Sequence, residues 1–357
     1  MKPKAQGKPD NRVGLDIGAY AVKIVEISDM PDRPALVRLG EKKIVGLSGE
    51  ETSAAIKALA EEAKISTKEV SVSVSGPSII VRFITMPKMS EEELGSAIRF
   101  EAEKFIPFNI DDCVLDFQIL KKAGSAKPPD AAFSAAKTGD ESDTRIDCLL
   151  VAARKEEIDS RVALAERAGL LVNAVDVDSF ALTNSFLRNF TELKPEKVAA
   201  LLNIGALSTN LSVVSGNGIS FMRETAVGGN DFTDLISKKM GISEEAAEEL
   251  KLSGMDRPDE IAGCAKSVLV TLLDDIKVSL SYHENQSGRS VDEIYISGGG
   301  SKLLGLEDAF TEAFGSRPNR WNPFGFLDTS RAGVGSGAID KMRDSFAVAV
   351  GLALKVV

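Results

Sequence analysis

The stretch Gly14-Leu15-Asp16-Ile17-Gly18-Ala19 decides the fold, because a close copy, Leu201-Leu202-Asn203-Ile204-Gly205-Ala206, follows half a chain later. Asp16 and Asn203 lie 187 positions apart in a chain of 357 residues. The residues after each copy, 22–27 and 210–214, alternate in polarity and are rich in β-branched side chains, which is typical of strands. Each copy therefore predicts a strand, a tight turn and a second strand, and the duplication predicts two related lobes.

The two turns, at 18–21 and 205–209, are short enough to aim several backbone N–H groups into one concavity. Such a nest binds anions, phosphate above all, and glycine lets the phosphate oxygens approach the backbone closely. Asp16 precedes the first turn, where a carboxylate is placed to hold a hydrated Mg²⁺ on those phosphates. An ordinary hairpin with a glycine turn explains either copy alone, whereas the duplication favours two phosphate turns.

Composition excludes several classes of protein. The chain is 43% hydrophobic and 27% charged, which is ordinary for a soluble globular protein, and it is long enough for two or more domains. A net charge of −10 argues against nucleic acid or anionic lipid as a main partner. Cys113, Cys148 and Cys264 are far apart, so neither a disulfide framework nor a zinc site is expected, and a reducing cytoplasm is the natural location.

Membrane spans and histidine chemistry are also disfavoured. Residues 1–11 are polar and predicted to be a disordered tail, and no apolar run reaches membrane-spanning length, so membrane association would come through a partner. The single histidine, His283, stands beside Glu284 and Asn285 in a predicted helix. We expect it to be a surface residue, which leaves no histidine-based acid–base or metal chemistry.

The rest of the chain divides around the two turns. The first lobe is predicted to comprise 12–85 and 170–195, interrupted at 86–169 by a small α+β unit whose polar segment 121–145 has the composition of a disordered loop. The second lobe is predicted to comprise 196–234 and 286–357, with a helical subdomain at 235–285 broken at Gly241, Gly254 and Pro258.

A third glycine segment stands in the second lobe. The short strand 293–297 runs directly into Gly298-Gly299-Gly300-Ser301, and a helix is predicted to start near Lys302. Glycines where a strand becomes a helix expose unpaired N–H groups and leave flat space for a ligand. A glycine triplet alone is weak support for a site, but beside two phosphate turns it is the expected third wall of a nucleotide cleft.

These segments together resemble the actin-like ATPase superfamily, which includes actin, heat-shock chaperones, sugar kinases and the cell-division protein FtsA. Within it, nearly the whole chain is similar to the PilM family of type IV pilus assembly proteins. Besides the first phosphate turn, the motifs that carry this resemblance are Met86-Pro87, Phe100-Glu101-Ala102-Glu103-Lys104-Phe105-Ile106-Pro107-Phe108, Val227-Gly228-Gly229-Asn230, Ala247-Glu248-Glu249-Leu250-Lys251, Asn322-Pro323-Phe324 and Ala347-Val348-Ala349-Val350-Gly351-Leu352-Ala353.

The resemblance implies an α/β, two-lobed actin-like fold with duplicated ribonuclease-H-like lobes, an inserted SHS2-type subdomain as in FtsA, and ATP with Mg²⁺ between the lobes. On the first lobe it assigns the phosphates and metal to Asp16, Gly18, Ala19, Tyr20 and Lys23, with Asp16 holding the metal through water. On the second lobe it assigns phosphate contacts to Asn203, Gly205, Thr209, Gly228 and Gly229. Around the adenosine it places Gly298, Gly299, Gly300 and Lys302, with Glu248 and Lys251 toward the ribose and base.

Some of these assignments carry alternatives or departures. A solvated ion pair explains Glu248 and Lys251 nearly as well, and either Asp176 or Asp178 could be the catalytic acidic residue near the attacking water. Asn203 stands where the second turn usually has an aspartate, and Ala19 and Tyr20 stand where the family commonly has serines. Asparagine can neither act as a base nor offer Mg²⁺ a full charge. We therefore expect nucleotide binding with slow hydrolysis or none.

The implied function is a cytoplasmic ATP-binding scaffold of the pilus inner-membrane platform. Its expected partner is the cytoplasmic tail of PilN in a groove beside the insertion, with contacts to the motor ATPases and other platform proteins; self-association stays open. A sugar-kinase-like phosphotransferase would need an aspartate base facing an acceptor pocket. An FtsA-like division protein would carry an amphipathic helix after the fold, whereas this sequence stops at Lys355-Val356-Val357.

Overall fold

The structure, a computed structural model, describes residues 11–30, 32–120, 145–253 and 258–355. The predicted loop at 121–145 and tail at 1–11 therefore lie almost entirely outside the described residues. In chain order the elements are β1 (Asn11–Ile17), β2 (Ala21–Ser28), β3 (Ala35–Lys43), α1 (Gly49–Ala63), β4 (Glu69–Val74), β5 (Ile79–Pro87), α2 (Glu91–Ala102), β6 (Cys113–Leu120), β7 (Arg145–Arg154), α3 (Lys155–Arg167), β8 (Leu171–Val177), α4 (Asp178–Asn189), β9 (Ala199–Ile204), β10 (Thr209–Ser215), β11 (Gly218–Thr225), α5 (Gly229–Met240), α6 (Glu244–Ser253), α7 (Pro258–Ser287), β12 (Glu293–Ser297), α8 (Leu306–Phe314), β13 (Asn319–Arg320), α9 (Ser336–Met342) and α10 (Ala347–Ala353).

The two lobes have the same sheet topology. The first sheet has the strand order β3-β2-β1-β4-β8, and the second has the order β11-β10-β9-β12-β13. In each, the first three strands are antiparallel neighbours and the fourth and fifth run parallel to the first. The duplicated hexapeptide thus occupies the central strand of each sheet, where burial on both faces explains its apolar residues.

The terminal helices of the two lobes are exchanged. Helix α10 follows the second lobe in sequence, but its Val350 and Ala353, with Phe346 just before it, pack on Val25 and neighbouring residues of the first sheet. Conversely, α4 ends the first lobe and packs Leu182 and Phe186 against Ala199 and Leu201 of the second sheet. The two helices also contact each other, so they form a shared layer between the sheets, while α1 and α3 cover the outer face of one sheet and α7 and α8 that of the other.

The inserted unit differs from the prediction in its bounds. Its three-stranded sheet has the order β5-β7-β6, and β5 pairs with β7 from Ile79 to Pro87, so the unit starts before residue 86. The Met86-Pro87 pair, where the unit was predicted to begin, instead closes an edge strand, where a proline is tolerated because no ladder bond is lost. At the other end, α3 places Ala165 and Ala168 in the first-lobe core. It therefore belongs to that lobe and not to the insertion.

Two of the three breaks predicted in the helical region fall on described residues, whereas Gly254 lies outside them. Gly241 ends α5 with a positive φ of 66°, and Pro258 begins α7. Among the described residues, no helix is both long enough and apolar enough to span a bilayer.

The expectation that His283 lies at the surface is wrong. Its side chain is only 4% exposed, because it continues the inward stripe of Ile276 and Ser279 on α7. Its Nε2 lies 3.3 Å from Ser220 Oγ, and its ring stands edge-on to Phe221. Burial lowers the pKa of His283, which keeps the ring neutral. The polar neighbours Glu284 and Asn285 lie around the helix, away from this face.

Candidate functional site

A cavity of about 870 Å³ lies between the two lobes. Its walls are both glycine turns, the glycine triplet, the start of α5 and strand β5, and its floor is the layer formed by α4 and α10. We call it the interlobe cavity. This volume lies within the range of small-molecule and cofactor sites.

The two turns have the same geometry. The N–H of Gly18 donates to the carbonyl of Ala21 at 3.1 Å, and that of Gly205 donates to the carbonyl of Ser208 at 2.9 Å. Both turns line the cavity, including the predicted residues Ala19 and Tyr20. The repeat read from the sequence is therefore a repeat in three dimensions, with equivalent positions offset by 187 residues.

Behind each turn, a row of three polar residues crosses adjacent strands and faces the cavity. Strand pairing aligns the residues of each row side by side. All six side chains belong to residues that line the cavity: Asp16, Lys23 and Glu41 in the first-lobe row, and Asn203, Asn210 and Glu224 in the second-lobe row. The first row is charged throughout, whereas in the second two amides replace an aspartate and a lysine.

In the first row, Lys23 neutralises the carboxylate that precedes the turn. Lys23 Nζ lies 2.9 Å from Asp16 Oδ2, and both side chains are largely buried. Burial by itself would lower the pKa of Lys23, but Asp16, with help from Glu41 and Asp178, outweighs it and raises that pKa. Lys23 therefore stays charged at neutral pH and is placed to attract an anion to the turn.

Of the two candidate acidic residues, the structure brings only Asp178 to the cavity. Burial, and next the nearby charge of Asp16, raise the pKa of Asp178 to about 6, although hydrogen bonds from Ser73 and Ser75 oppose the shift. Asp176 instead lies behind the wall, where its Oδ2 is 3.0 Å from Lys355 Nζ, so the prediction for Asp176 is wrong. Strand β8 ends at Val177, between the two aspartates, and the start of α4 directs Asp178 toward the first glycine turn.

Asp16 and Asp178 fit the requirements of a divalent cation. Their mutual repulsion is what a cation would relieve, and carboxylate oxygens are the ligands that Mg²⁺ prefers. Within the described residues no group of three or more acidic, histidine or cysteine side chains could hold a metal by itself. A Mg²⁺ ion here would hence keep several waters or phosphate oxygens in its shell, as the resemblance implies for Asp16.

On the second lobe, two predicted contacts are wrong. Thr209 is fully buried and donates to the carbonyl of Val227 at 2.7 Å, because strand alternation points it away from Asn210 and the cavity. Gly228 also does not line the cavity: a Cβ there would lie 2.5 Å from the Ala206 carbonyl oxygen. It serves the close packing of α5 on the turn, whereas its neighbour Gly229 does line the cavity.

The N-terminus of α5 closes onto the second turn. Gly229 N–H donates to the carbonyl of Gly205, and Asn230 N–H to that of Ala206, both at 2.8 Å. These two donors are thus used within the protein. They fix the turn and are not free to bind a phosphate, which leaves that role to the turn itself.

The glycine triplet packs on the end of β9. Gly298 has a φ of 87°, and a Cβ there would lie 2.3 Å from the Ile204 carbonyl oxygen. Both the backbone conformation and the lack of space therefore require glycine at this position. Gly299 faces open space. Lys302 also lines the cavity, and its Nζ donates to the Lys341 carbonyl at 2.8 Å. All three glycines line the interlobe cavity, but the helix predicted to start near Lys302 starts later, at Leu306, after a short 3-10 turn.

Glu248 and Lys251 form an ion pair within the cavity wall. Lys251 Nζ lies 2.5 Å from Glu248 Oε2 and also donates to the Gly229 carbonyl at 3.0 Å. Neither side chain is solvated like a surface pair, since their exposed fractions are only 9% and 15%. Contact of this pair with a ribose or base stays a prediction.

The lining residues that sequence reasoning missed include four charged or amide side chains: Glu41, Asn210, Glu224 and Arg161. Asn210 could have been found, because it lies 187 positions after Lys23. Arg161 on α3 donates to the Ile17 carbonyl at 2.6 Å and lowers the pKa of Asp178 electrostatically. No local motif marks Arg161, Glu41 or Glu224, since only sheet pairing and helix packing bring them here.

Comparison with known proteins agrees with this architecture. A sequence model of the family described as type IV pilus assembly protein PilM matches residues 14–357. A solved PilM-PilN type IV pilus biogenesis complex contains a chain similar at a TM-score of 0.82 and 31% identity, over 96% of this chain and 97% of that one.

More distant solved structures share the fold alone. The ethanolamine utilization protein EutJ from Carboxydothermus hydrogenoformans has a TM-score of 0.56 at 12% identity, over 98% of this chain and 90% of its own. MreB5 of Spiroplasma citri bound to ADP has a TM-score of 0.50 at 12% identity, over 96% and 94%. These likenesses confirm the predicted actin-like ATPase fold. With the family match over nearly its whole length, the chain belongs to the type IV pilus assembly protein PilM family.

Proposed function

We propose that this chain binds ATP with Mg²⁺ in the interlobe cavity and acts as a cytoplasmic scaffold of the type IV pilus assembly platform. The observation that carries the proposal is the joining of two equivalent glycine turns, a glycine wall and the Asp16–Lys23 pair around one cavity of about 870 Å³. Lys23 and the turn amides would hold phosphates. Asp16 and Asp178 would hold Mg²⁺, and the triplet with Glu248 and Lys251 would border the adenosine.

Titration with a fluorescent ATP analogue in the presence of Mg²⁺ tests this site directly. Asp16→Asn should weaken binding at least tenfold, because it removes the carboxylate beside the first turn and the partner of Lys23. Asp159→Asn is the matched control, since Asp159 is exposed on α3 and lies outside the cavity. Equal affinities of the wild type and Asp16→Asn would overturn the proposed site.

We further propose that hydrolysis is slow. On the two strands that the second turn connects, the second-lobe row carries the amides Asn203 and Asn210, which can neither accept a proton nor add charge at a metal. Asn203→Asp should raise ATP turnover above that of the wild type, with phosphate release as the measurement. Brisk wild-type hydrolysis would contradict the proposal.

The partner we propose is the cytoplasmic tail of PilN, docked beside the inserted unit. The similar PilM-PilN complex supports this choice. Strand β5 supports the place: it is an edge strand, and four successive residues of it, Ile79 to Arg82, line the cavity. A strand contributes successive residues when its edge faces the space, and an open edge can pair with an extended peptide.

A peptide copying the PilN tail tests this docking. Val81→Lys places a charge on the β5 edge and should weaken peptide binding at least tenfold. Val114→Lys, on the opposite edge strand β6 of the same sheet, is the matched control and should bind as the wild type does. If Val114→Lys weakened peptide binding and Val81→Lys did not, the docking site would lie on β6.

Recruitment through PilN would place the protein at the inner membrane without inserting it there. We propose that contacts with the pilus motor ATPases and other platform proteins are built on the same scaffold. Sedimentation with membranes that contain or lack PilN checks the first part: the protein should pellet only with PilN present.

A further inference from the structure

Glu224 of the second-lobe row has no ion-pair partner within the described residues. In the first-lobe row, Lys23 stands between the carboxylates of Asp16 and Glu41. In the second row the central position is Asn210, which carries no charge. Glu224 therefore has both carboxylate oxygens available for neutral donors.

Those two oxygens bind opposite sides of the cavity. Oε2 accepts a hydrogen bond from the N–H of Gly76 at 2.8 Å, and Gly76 belongs to the short connection between β4 of the first lobe and β5 of the inserted unit. Oε1 accepts a hydrogen bond from the hydroxyl of Ser208, in the second glycine turn, at 2.5 Å. One carboxylate thus joins the first lobe, at the root of the insertion, to the second turn.

The backbone conformation at Gly76 favours its hydrogen bond to Glu224. Gly76 has a φ of 103°, which is strained for any residue with a side chain, and this conformation aims its N–H toward Glu224. The preceding residue, Ser75, donates its hydroxyl to Asp178. The residue bonded to Asp178 of the cation site and the residue bonded to Glu224 are therefore consecutive in the chain.

We propose that Glu224 is a positioning residue that fastens the lobes together across the interlobe cavity and fixes the second glycine turn through Ser208. Its removal loosens this connection between the lobes and lets a bound ligand escape faster. The fastening itself follows from the hydrogen bonds of Glu224 to Gly76 and Ser208, whereas the effect on a ligand rests on the proposed nucleotide site.

The first experiment needs no ligand. Hydrogen exchange of the peptide segment that contains the Gly76 amide is compared in the wild type and in Glu224→Ala, Glu224→Gln and Glu224→Asp. Loss of a hydrogen bond to a carboxylate should speed exchange at Gly76 about tenfold or more in Glu224→Ala. Glu224→Asp keeps the charge but is one methylene too short to reach both partners, so it should also speed exchange, which covers the case in which the alanine variant folds poorly.

The conservative variant separates positioning from general stability. Glu224→Gln has the same length, its carbonyl oxygen can accept from Gly76, and its amide can donate to Ser208, so it should keep the Gly76 amide protected. Glu69→Ala, which removes an exposed glutamate at the start of β4, is the control and should leave exchange at Gly76 unchanged. Wild-type protection at Gly76 in both Glu224→Ala and Glu224→Asp would overturn the proposal.

The second experiment measures release of a fluorescent ATP analogue in a chase with unlabelled ATP. Release should be at least fivefold faster from Glu224→Ala than from the wild type, and near the wild-type rate from Glu224→Gln. The two proposals fail in different ways: a wild type that binds no analogue refutes the nucleotide site, whereas unchanged Gly76 exchange in the shortened variants refutes the fastening by Glu224.

Discussion

Asp178 is a carboxyl group held where negative charge is costly. Burial and the neighbouring Asp16 raise its pKa from 3.8 to about 6. A group that binds its proton more tightly in the folded state than in the unfolded chain removes stability as the pH rises between the two pKa values. The ionised carboxylate of Asp178 therefore destabilises the folded protein at neutral pH.

Replacing this carboxyl should stabilise the ligand-free protein. Asp178→Asn should raise the free energy of unfolding at pH 7.5 by an amount on the order of 1 kcal/mol, because the repulsion from Asp16 is gone. The advantage should shrink as the pH falls through 6 and vanish below about pH 3, where Asp178 is protonated in both the folded and the unfolded chain. Urea unfolding at several pH values measures it, and an advantage that grows toward acid pH would contradict the assignment.

The same residue predicts how cation binding depends on pH. A cation at Asp16 and Asp178 competes with the proton on Asp178, so the affinity for Mg²⁺ with ATP should fall as the pH drops from 7 to 5.5. Asp178→Asn should bind more weakly at pH 7 and lose most of this pH dependence. Isothermal titration at matched ionic strength checks it, and a pH profile shared by both proteins would place the cation elsewhere.

The two helices that the lobes exchange, α4 and α10, are in close backbone contact where they cross. A Cβ at Gly351 would lie only 1.8 Å from the Ala181 carbonyl oxygen. Gly351→Ala should therefore destabilise the protein by about 3 kcal/mol or more, because the helices must move apart. Urea unfolding followed by circular dichroism measures the loss.

The control for this substitution lies in another helix. Gly263 is exposed on α7, and a Cβ there would meet nothing within 4 Å. Gly263→Ala should stabilise the protein by about 0.5–1 kcal/mol through helix propensity alone. Similar losses in both variants would show that the crossing is looser than the structure indicates.

The elements also show what sequence patterns can and cannot predict. The hexapeptide repeat predicted both central strands and both turns, because short apolar strands and glycine turns are local features. The direction in which a strand residue points depends on the register of its strand. Thr209 resembles a phosphate ligand in the sequence, but strand pairing shows that it is equivalent to Val22 and points to the buried side. His283 was misplaced for the same reason, since polar neighbours along a helix say little about the face each residue takes.

Residues that reach the site through tertiary packing were beyond local patterns. Glu41 and Glu224 lie on third strands whose loops differ in length between the lobes, so no constant offset connects them. Arg161 arrives from α3 only because that helix packs on the first lobe and not in the insertion. Rules for strand pairing applied to the repeat would have found the two rows, but not Arg161.

For the whole molecule, the cavity and the inserted unit share strand β5, so the two proposed ligands should influence each other. An ATP analogue with Mg²⁺ should tighten binding of the PilN-tail peptide by about threefold or more, and the peptide should tighten nucleotide binding by the same factor. Calorimetric titration of each ligand with and without the other measures both. Unequal factors would reveal an experimental fault, and factors of one would show independent sites.

The exchange of α4 and α10 also bears on how the chain folds during synthesis. The inner face of the first sheet is covered by a helix that lies about 330 residues after β1. At ordinary rates of translation, roughly 20–60 s pass between the two. During that interval Val25, Ile27 and Leu39 have no cover, so the nascent first lobe is a natural client for chaperones that shield apolar surface, and a ribosome stalled before α10 would hold it unfinished.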